Sequence, residues 1–228
     1  MARLPRLSVT DLPHLVLWQG HNRQAVFADD DDRQAFVALL GDGATREGVE
    51  VHGYALLDAG LWLLVTPRRE GALSRLMQGL GRSYVRRFNA RHGRTGTLWE
   101  GRYRATVLAP DRVLPALVLL DHEPVRVGLA PSPEAWPWST HRHYAGIAPL
   151  RGVQPPAPWW GLGDTPFARE AAYRQRVHEG LPPAQAQGLR EAAIKGWPVG
   201  DAAFLAALAA QTGRRTQPAR PGRPRKRI

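Results

Sequence analysis

One segment restricts the fold more than any other. From Glu70 to about Arg91, the residues Leu73, Leu76, Met77, Leu80, Tyr84 and Phe88 recur at the i, i+3, i+4, i+7 spacing of one helix face. Arg75, Arg82 and Arg86 fall on the opposite face, with Gly79 and Ser83 between them. Such a helix must lay its apolar side on a sheet and leave its arginines outward, where they can meet phosphates. The next stretch, Arg91 to Arg104, carries the basic character through a glycine-punctuated loop into a predicted strand.

The neighbouring segments supply that sheet. His14–Trp18 is short, apolar and bounded by Pro13 and Gly20, which predicts a strand. Asp29 to Asp32 suit a helix start, where carboxylates meet unpaired backbone N–H groups, and Phe36, Val37, Leu39 and Leu40 give the following turns an apolar face. Val51–Leu57 and Leu61–Thr66 read as two strands joined by a turn at Asp58-Ala59-Gly60. Asp111 to about Asp121 reads as another apolar helix, ending before Pro124. The order strand, helix, strand, strand, helix, strand, helix predicts an α+β, ferredoxin-like antiparallel sheet with helices on one face. This unit spans residues 1–150. A proline-rich linker (151–164), a helical extension (165–213) and a disordered basic tail (214–228) follow it.

The formal net charge of +11 matters through its placement. Residues 75–104 hold eight arginines against one acid, Glu100, and residues 214–228 hold six arginines and Lys226 against none. The other residues are close to neutral, so the basicity belongs to local surfaces made for a polyanion. The absence of cysteine excludes disulfides, thiolate metal sites and cysteine nucleophiles. No apolar run approaches the roughly 18 residues of a membrane span, and MARLPRLSV is followed by Asp11 and Pro13 rather than a signal-peptide core. The expectation is a cytoplasmic, nucleoid-associated protein, monomeric or homodimeric, with DNA as partner and no membrane contact. In the tail, Pro221-Gly222-Arg223-Pro224-Arg225-Lys226-Arg227 resembles an AT-hook. Arg220, Arg223, Arg225, Lys226 and Arg227 are its candidate contacts to A·T-rich duplex DNA.

Six segments occur in order across residues 1–146: MARLPRLSV with Pro13-His14, Gly20-His21-Asn22-Arg23-Gln24, Leu63-Leu64-Val65-Thr66-Pro67, Arg94 to Tyr103 (RTGTLWEGRY), Pro124-Val125-Arg126 with Gly128, and Trp136-Pro137-Trp138-Ser139. On these the chain resembles the REP-associated tyrosine transposases, relatives of the single-tyrosine insertion-sequence transposases and HUH-type single-strand DNA nucleases. The stretch from Ala171 onward resembles the C-terminal extension of longer members. The resemblance implies a substrate, palindromic hairpins with a foot and flanks read in single-stranded form. It also implies a chemistry, attack of a tyrosine on a phosphodiester that a divalent metal polarises. In the family, a His-hydrophobe-His strand pair holds that metal, and the tyrosine stands four residues before a metal-supporting asparagine. Here the histidine positions are Gly60 and Trp62, the tyrosine position is Leu119 and the asparagine position is Glu123. Glycine offers no ligand, indole N–H is only a donor, and leucine cannot attack phosphorus.

The reading is therefore a transposase-family protein that binds hairpin, REP-like or single-stranded DNA without cutting it, and no cofactor is expected. Arg23, Arg75, Arg82, Arg86, Arg91, Arg94, Arg102, Arg104 and Arg126 are the candidate contacts in the folded part, with Trp99 and Tyr103 as residues for base stacking. The competing enzyme reading is an active transposase or nickase with a rebuilt Mg²⁺ or Mn²⁺ site. Asp58, Asp121, Glu123, His52 and His122 would be its possible ligands, and Tyr54, Tyr84 or Tyr103 its hydroxyl.

Overall fold

The computed structural model describes residues 6–218. Strand β1 (His14–Gln19) is followed by α1 (Asp30–Glu47), the hairpin strands β2 (Val49–Leu57) and β3 (Gly60–Pro67), α2 (Ala72–Arg91), β4 (Arg104–Val107) and α3 (Val113–Arg126). The four strands pair antiparallel in the order β2-β3-β1-β4, the ferredoxin-like arrangement that the element pattern predicts. The Asp29 carboxylate caps α1 by accepting the Asp32 N–H at 3.1 Å. Helix α2 carries its six apolar residues into the core, as their spacing requires. No helix among the described residues is long and apolar enough to cross a membrane.

The α+β sheet is as expected, but helices cover both of its faces rather than one. Alternate residues of β1 explain why. Val16 and Trp18 join the core built with Phe36 of α1 and Leu73, Leu76, Leu80 and Tyr84 of α2. Leu15 and Leu17 point the other way, into a second core with Leu117, Leu119 and Leu120 of α3. Both faces of the central strand are apolar, and both must be covered. Burying each such side chain contributes roughly 1.5–3 kcal/mol, so neither layer can be dispensed with.

Short helices α4 (His141–Tyr144) and α5 (Ala157–Trp160) lead to α6 (Pro166–Glu179), α7 (Pro183–Lys195) and α8 (Ala202–Thr212). Residues 151–164 and 165–213 divide from the sheet unit by composition, yet in space they help complete its second core. Trp159 of α5 sits against Tyr144 and Tyr173 with ring centroids 4.7 and 5.4 Å away. Tyr173, Val177, Ala186, Leu189 and Ala193 share one apolar cluster with Leu15 and Leu17. Helix α3 also runs further than its sequence pattern suggests, through Pro124 to Arg126. Proline removes one backbone donor there. The final turn is nonetheless held by Val127 N–H to the Glu123 carbonyl at 3.1 Å and Leu129 N–H to the Pro124 carbonyl at 2.9 Å.

Two buried polar groups tie the layers together. Asp121 on α3 accepts the His141 Nδ1–H at 2.8 Å and the Tyr173 hydroxyl at 2.7 Å, with all three side chains buried. Burial and the neighbouring carboxylate push the Tyr173 phenol well above its ordinary pKa, so it acts only as a donor. At the start of the sheet, His14 is fully buried. Its Nε2 accepts the Val9 N–H at 3.2 Å while its Nδ1–H donates to the Leu12 carbonyl at 2.7 Å, which fixes a neutral ring.

These contacts generate two predictions. Burial pushes the His14 pKa down from 6.5 to about 4, so the unfolded chain takes up a proton in that window and the folded chain does not. Stability is complete above pH 6.5 and falls as pH drops towards 4, by about 3 kcal/mol in total. Urea titrations across pH 4–7 should show this slope in the native protein and lose most of it in His14→Gln. For the second, Tyr173→Phe leaves Asp121 with His141 as its one donor. The substitution should cost about 1.5–3 kcal/mol in denaturant melts, and a loss near zero would mean that the hydroxyl is not needed.

Candidate nucleic-acid interface

The outward face of α2 meets the segment before β4 along a cleft of about 470 Å³. Arg75, Arg82 and Arg102 line its rim, Trp18, Met77 and Tyr103 form its apolar floor, and no carboxylate is among its lining residues. Gly81 makes the floor possible, because a Cβ there would stand 2.9 Å from the Trp18 ring. The Trp18 indole is fixed on its other side by stacking on Trp99, with ring centroids 4.1 Å apart, and by donating Nε1–H to the Gly101 carbonyl at 3.1 Å. Trp99 is consequently a core residue and not an exposed stacking platform. Tyr103 is also largely buried, with the Arg6 guanidinium 4.1 Å above its ring.

The candidate arginines divide into two groups. Arg82, Arg86 and Arg102 are exposed and make no hydrogen bond or ion pair within the described residues; Arg23 and Arg104 are also unpaired there. Arg75 lies on the cleft but also reaches Glu47 at 2.9 Å. Arg94 donates to the Gln24 side chain at 3.0 Å and lies over the Phe88 ring. Arg91 is held by Asp29, Asp31 and Asp32, at 2.6, 3.2 and 2.7 Å. Hydrogen bonding from Arg91 holds the Asp29 carboxyl down at about 2. The Asp29–Asp32 run thus serves twice, as the start of α1 and as the counter-charge that clamps the end of α2. The AT-hook-like segment, with Arg220, Arg223, Arg225, Lys226 and Arg227, lies outside the described residues.

Two of the four positions that the resemblance singles out, Gly60 and Trp62, lie on a second cleft of about 460 Å³ on the other face of the sheet. Gly60 and Trp62 line it from β3, and Arg126 lines it from the end of α3. Leu119 is buried in the core one turn before Glu123. Glu123 is fully buried behind the cleft, bonded to Arg126 at 2.6 Å and to Arg190 of α7 at 2.6 Å. Gly60 has no room for a side chain, since a Cβ would lie 2.6 Å from the Trp18 carbonyl oxygen and 3.2 Å from the Gln19 Cα. The obstruction is backbone, so it cannot rotate away.

The residues considered for a rebuilt metal site do not assemble. Asp58 pairs with Arg33, and Asp121 with His141 and Tyr173. His52 lies between the Gln154 carbonyl and the Thr66 hydroxyl, and His122 donates to the Val177 carbonyl at 2.9 Å. Among the described residues no group of three or more His, Cys, Asp or Glu side chains could hold a metal ion. Of the hydroxyl candidates, Tyr84 and Tyr103 are hydrogen-bonded within the fold and Tyr54 is buried. Burial raises the Tyr54 phenol to about 12, and Tyr84 donates from the core to the Val26 carbonyl at 2.6 Å. Sequence reasoning missed Trp18, Gln187 and Arg190. The last two stand on an extension helix whose packing on β1 and β4 has no local signature.

No protein-family model and no curated protein matches the chain. Among solved structures, it is similar to a REP-associated tyrosine transposase bound to a REP hairpin, with a TM-score of 0.51 and 13% identity over 68% of this chain and 98% of that one. A candidate transposase from Deinococcus radiodurans matches with a TM-score of 0.38 and 18% identity over 55% of this chain and 90% of that one. At such identities the likeness concerns architecture. This chain carries the four-stranded α+β fold of a REP-associated tyrosine transposase.

Proposed function

We propose that the chain is a REP-transposase-type protein that binds hairpin DNA and its single-stranded flanks and does not cleave them. The observation that carries the reading is the acid-free arginine rim of the α2 cleft over an apolar floor. Guanidiniums without internal partners can bind phosphates at no cost of a broken ion pair, and an apolar floor beside them suits an unpaired base. Arg82, Arg86 and Arg102 are the principal contacts, Arg75, Arg94 and Arg104 extend them, and the tail arginines add affinity for A·T-rich duplex. Arg91 holds α1 to α2 instead. The likeness to a transposase solved with a REP hairpin supports the choice of hairpin DNA.

The non-cleaving half of the proposal rests on Gly60, Trp62 and Leu119, which supply neither metal ligand nor nucleophile. A hairpin oligonucleotide with single-stranded flanks, incubated with the full chain and Mg²⁺ or Mn²⁺, should give a salt-sensitive gel shift, no nick and no covalent adduct. Arg82→Ala and Arg102→Ala should each weaken the shift and lower its salt slope by about one. An adduct or a defined nick would favour an active nickase. A second expectation concerns Gly60 itself. Gly60→His should destabilise the fold by about 1–3 kcal/mol through its backbone clash. The double variant Gly60→His with Trp62→His should therefore melt early and gain no metal-dependent cleavage.

A further inference from the structure

The cleft beside Gly60 and Trp62 has a chemistry of its own. Three arginines line it from three separate parts of the chain: Arg23 after β1, Arg126 at the end of α3 and Arg190 on α7. The two carboxylates near it are both occupied. Asp58 is taken by Arg33, and Glu123 is shared between Arg126 and Arg190. One buried negative charge between two guanidiniums leaves a surplus positive charge, and Arg23 adds a second with no partner among the described residues. Trp62 lines the same cleft, is nearly buried, and its indole N–H makes no hydrogen bond within the described residues.

The backbone contributes a further indication. Asn22 and Arg23 both adopt left-handed φ values, 51° and 57°. Asparagine tolerates that region and arginine much less so, and a non-glycine residue there costs on the order of 1 kcal/mol or more. The turn is held by Arg23 N–H to the Gly20 carbonyl and Gln24 N–H to the His21 carbonyl, both at 3.0 Å. It presents Arg23 to the cleft. Free donors and surplus positive charge repel a metal cation and suit an anion.

On the DNA-binding reading above, we propose that this cleft is a metal-independent phosphate site, in which Arg23, Arg126 and Arg190 hold one phosphate of the bound DNA. Glu123 is a positioning residue that fixes two of the guanidiniums from behind. Because Arg190 comes from α7, the C-terminal extension supplies part of the site. The phosphate is either an internal diester or a terminal monoester, since the same guanidinium chemistry serves both.

The test is fluorescence anisotropy with full-length protein and a labelled hairpin bearing a single-stranded 5′ flank, in EDTA. Wild type should bind. Arg23→Gln and Arg190→Gln should each weaken binding about three- to tenfold and reduce the salt slope by about one. Arg23 has no internal partner among the described residues, so its variant should keep the wild-type melting temperature and separate binding from folding. Inorganic phosphate should compete in wild type and compete less in Arg23→Gln. Tighter binding of a 5′-phosphorylated strand, lost in Arg23→Gln, assigns the site to a terminal phosphate; equal binding of both strands assigns it to the backbone. Unchanged affinity and salt slope in both variants would overturn the phosphate site and leave DNA binding through the α2 cleft intact. Binding that needs Mg²⁺ would overturn metal independence. A wild type that binds no hairpin at all would remove both proposals.

Discussion

Strand β1 is the member on which everything else is built. It is hydrogen-bonded on both edges, to β3 and β4, and apolar on both faces, with Val16 and Trp18 on one side and Leu15 and Leu17 on the other. A strand of this kind cannot stand at a solvent boundary, so the chain must provide two helical layers. The first, α1 and α2, is the ordinary complement of the sheet. The second begins with α3 and is completed by α5, α6 and α7, which explains why the extension shares a core with the N-terminal elements. The two candidate clefts follow from this arrangement, one at α2 and the other at the end of α3. Trp18 joins core to surface, because the same indole that stacks on Trp99 floors the arginine-rimmed cleft.

Local regularities were legible in the residues, and long-range partnerships were not. Short apolar runs set off by Pro13, Gly20 and the Asp58-Ala59-Gly60 turn located β1 and the β2–β3 hairpin, and the 3.6-residue period located α2 because it records which side of a helix meets the core. The Asp29–Asp32 start of α1 was equally readable as a cap. The second helical layer was not, since a β1 segment of continuous apolar residues is equally compatible with one covered face or two. The end of α3 was misplaced for a different reason. Pro124 is a breaker by local rules, but tertiary contacts hold the turn beyond it, and that turn carries Arg126 to its cleft.

The arginines teach the same lesson in electrostatic form. A count over residues 75–104 treats its eight arginines as equivalent, and the fold does not. Arg91 lies in a carboxylate cage made by a helix start some sixty residues earlier in the chain. Arg82, Arg86 and Arg102 are left without partners in the described residues. The difference bears on the proposed function, since an arginine already paired must lose that pairing before it can neutralise a phosphate, whereas an unpaired one only exchanges solvent and counterions. Clustering in sequence therefore marked a basic surface, while the unpaired arginines within it could be identified only from the fold.

On the proposed reading, the cleft at β3 and α3 holds an anion rather than a metal ion. A metal centre needs lone pairs directed inward, and histidine and carboxylate provide them. Here the charged groups are three guanidiniums beside an indole N–H, while both nearby carboxylates are occupied, Asp58 by Arg33 and the buried Glu123 by Arg126 and Arg190. Gly60 cannot carry a metal ligand, because the Trp18 carbonyl occupies the space a side chain would need. The pairing of β1 with β3 and the lack of room for a side chain at Gly60 are thus two consequences of one close backbone approach. Placing a side chain there would require the central strand pair to move apart, and the two cores that close on β1 oppose that movement.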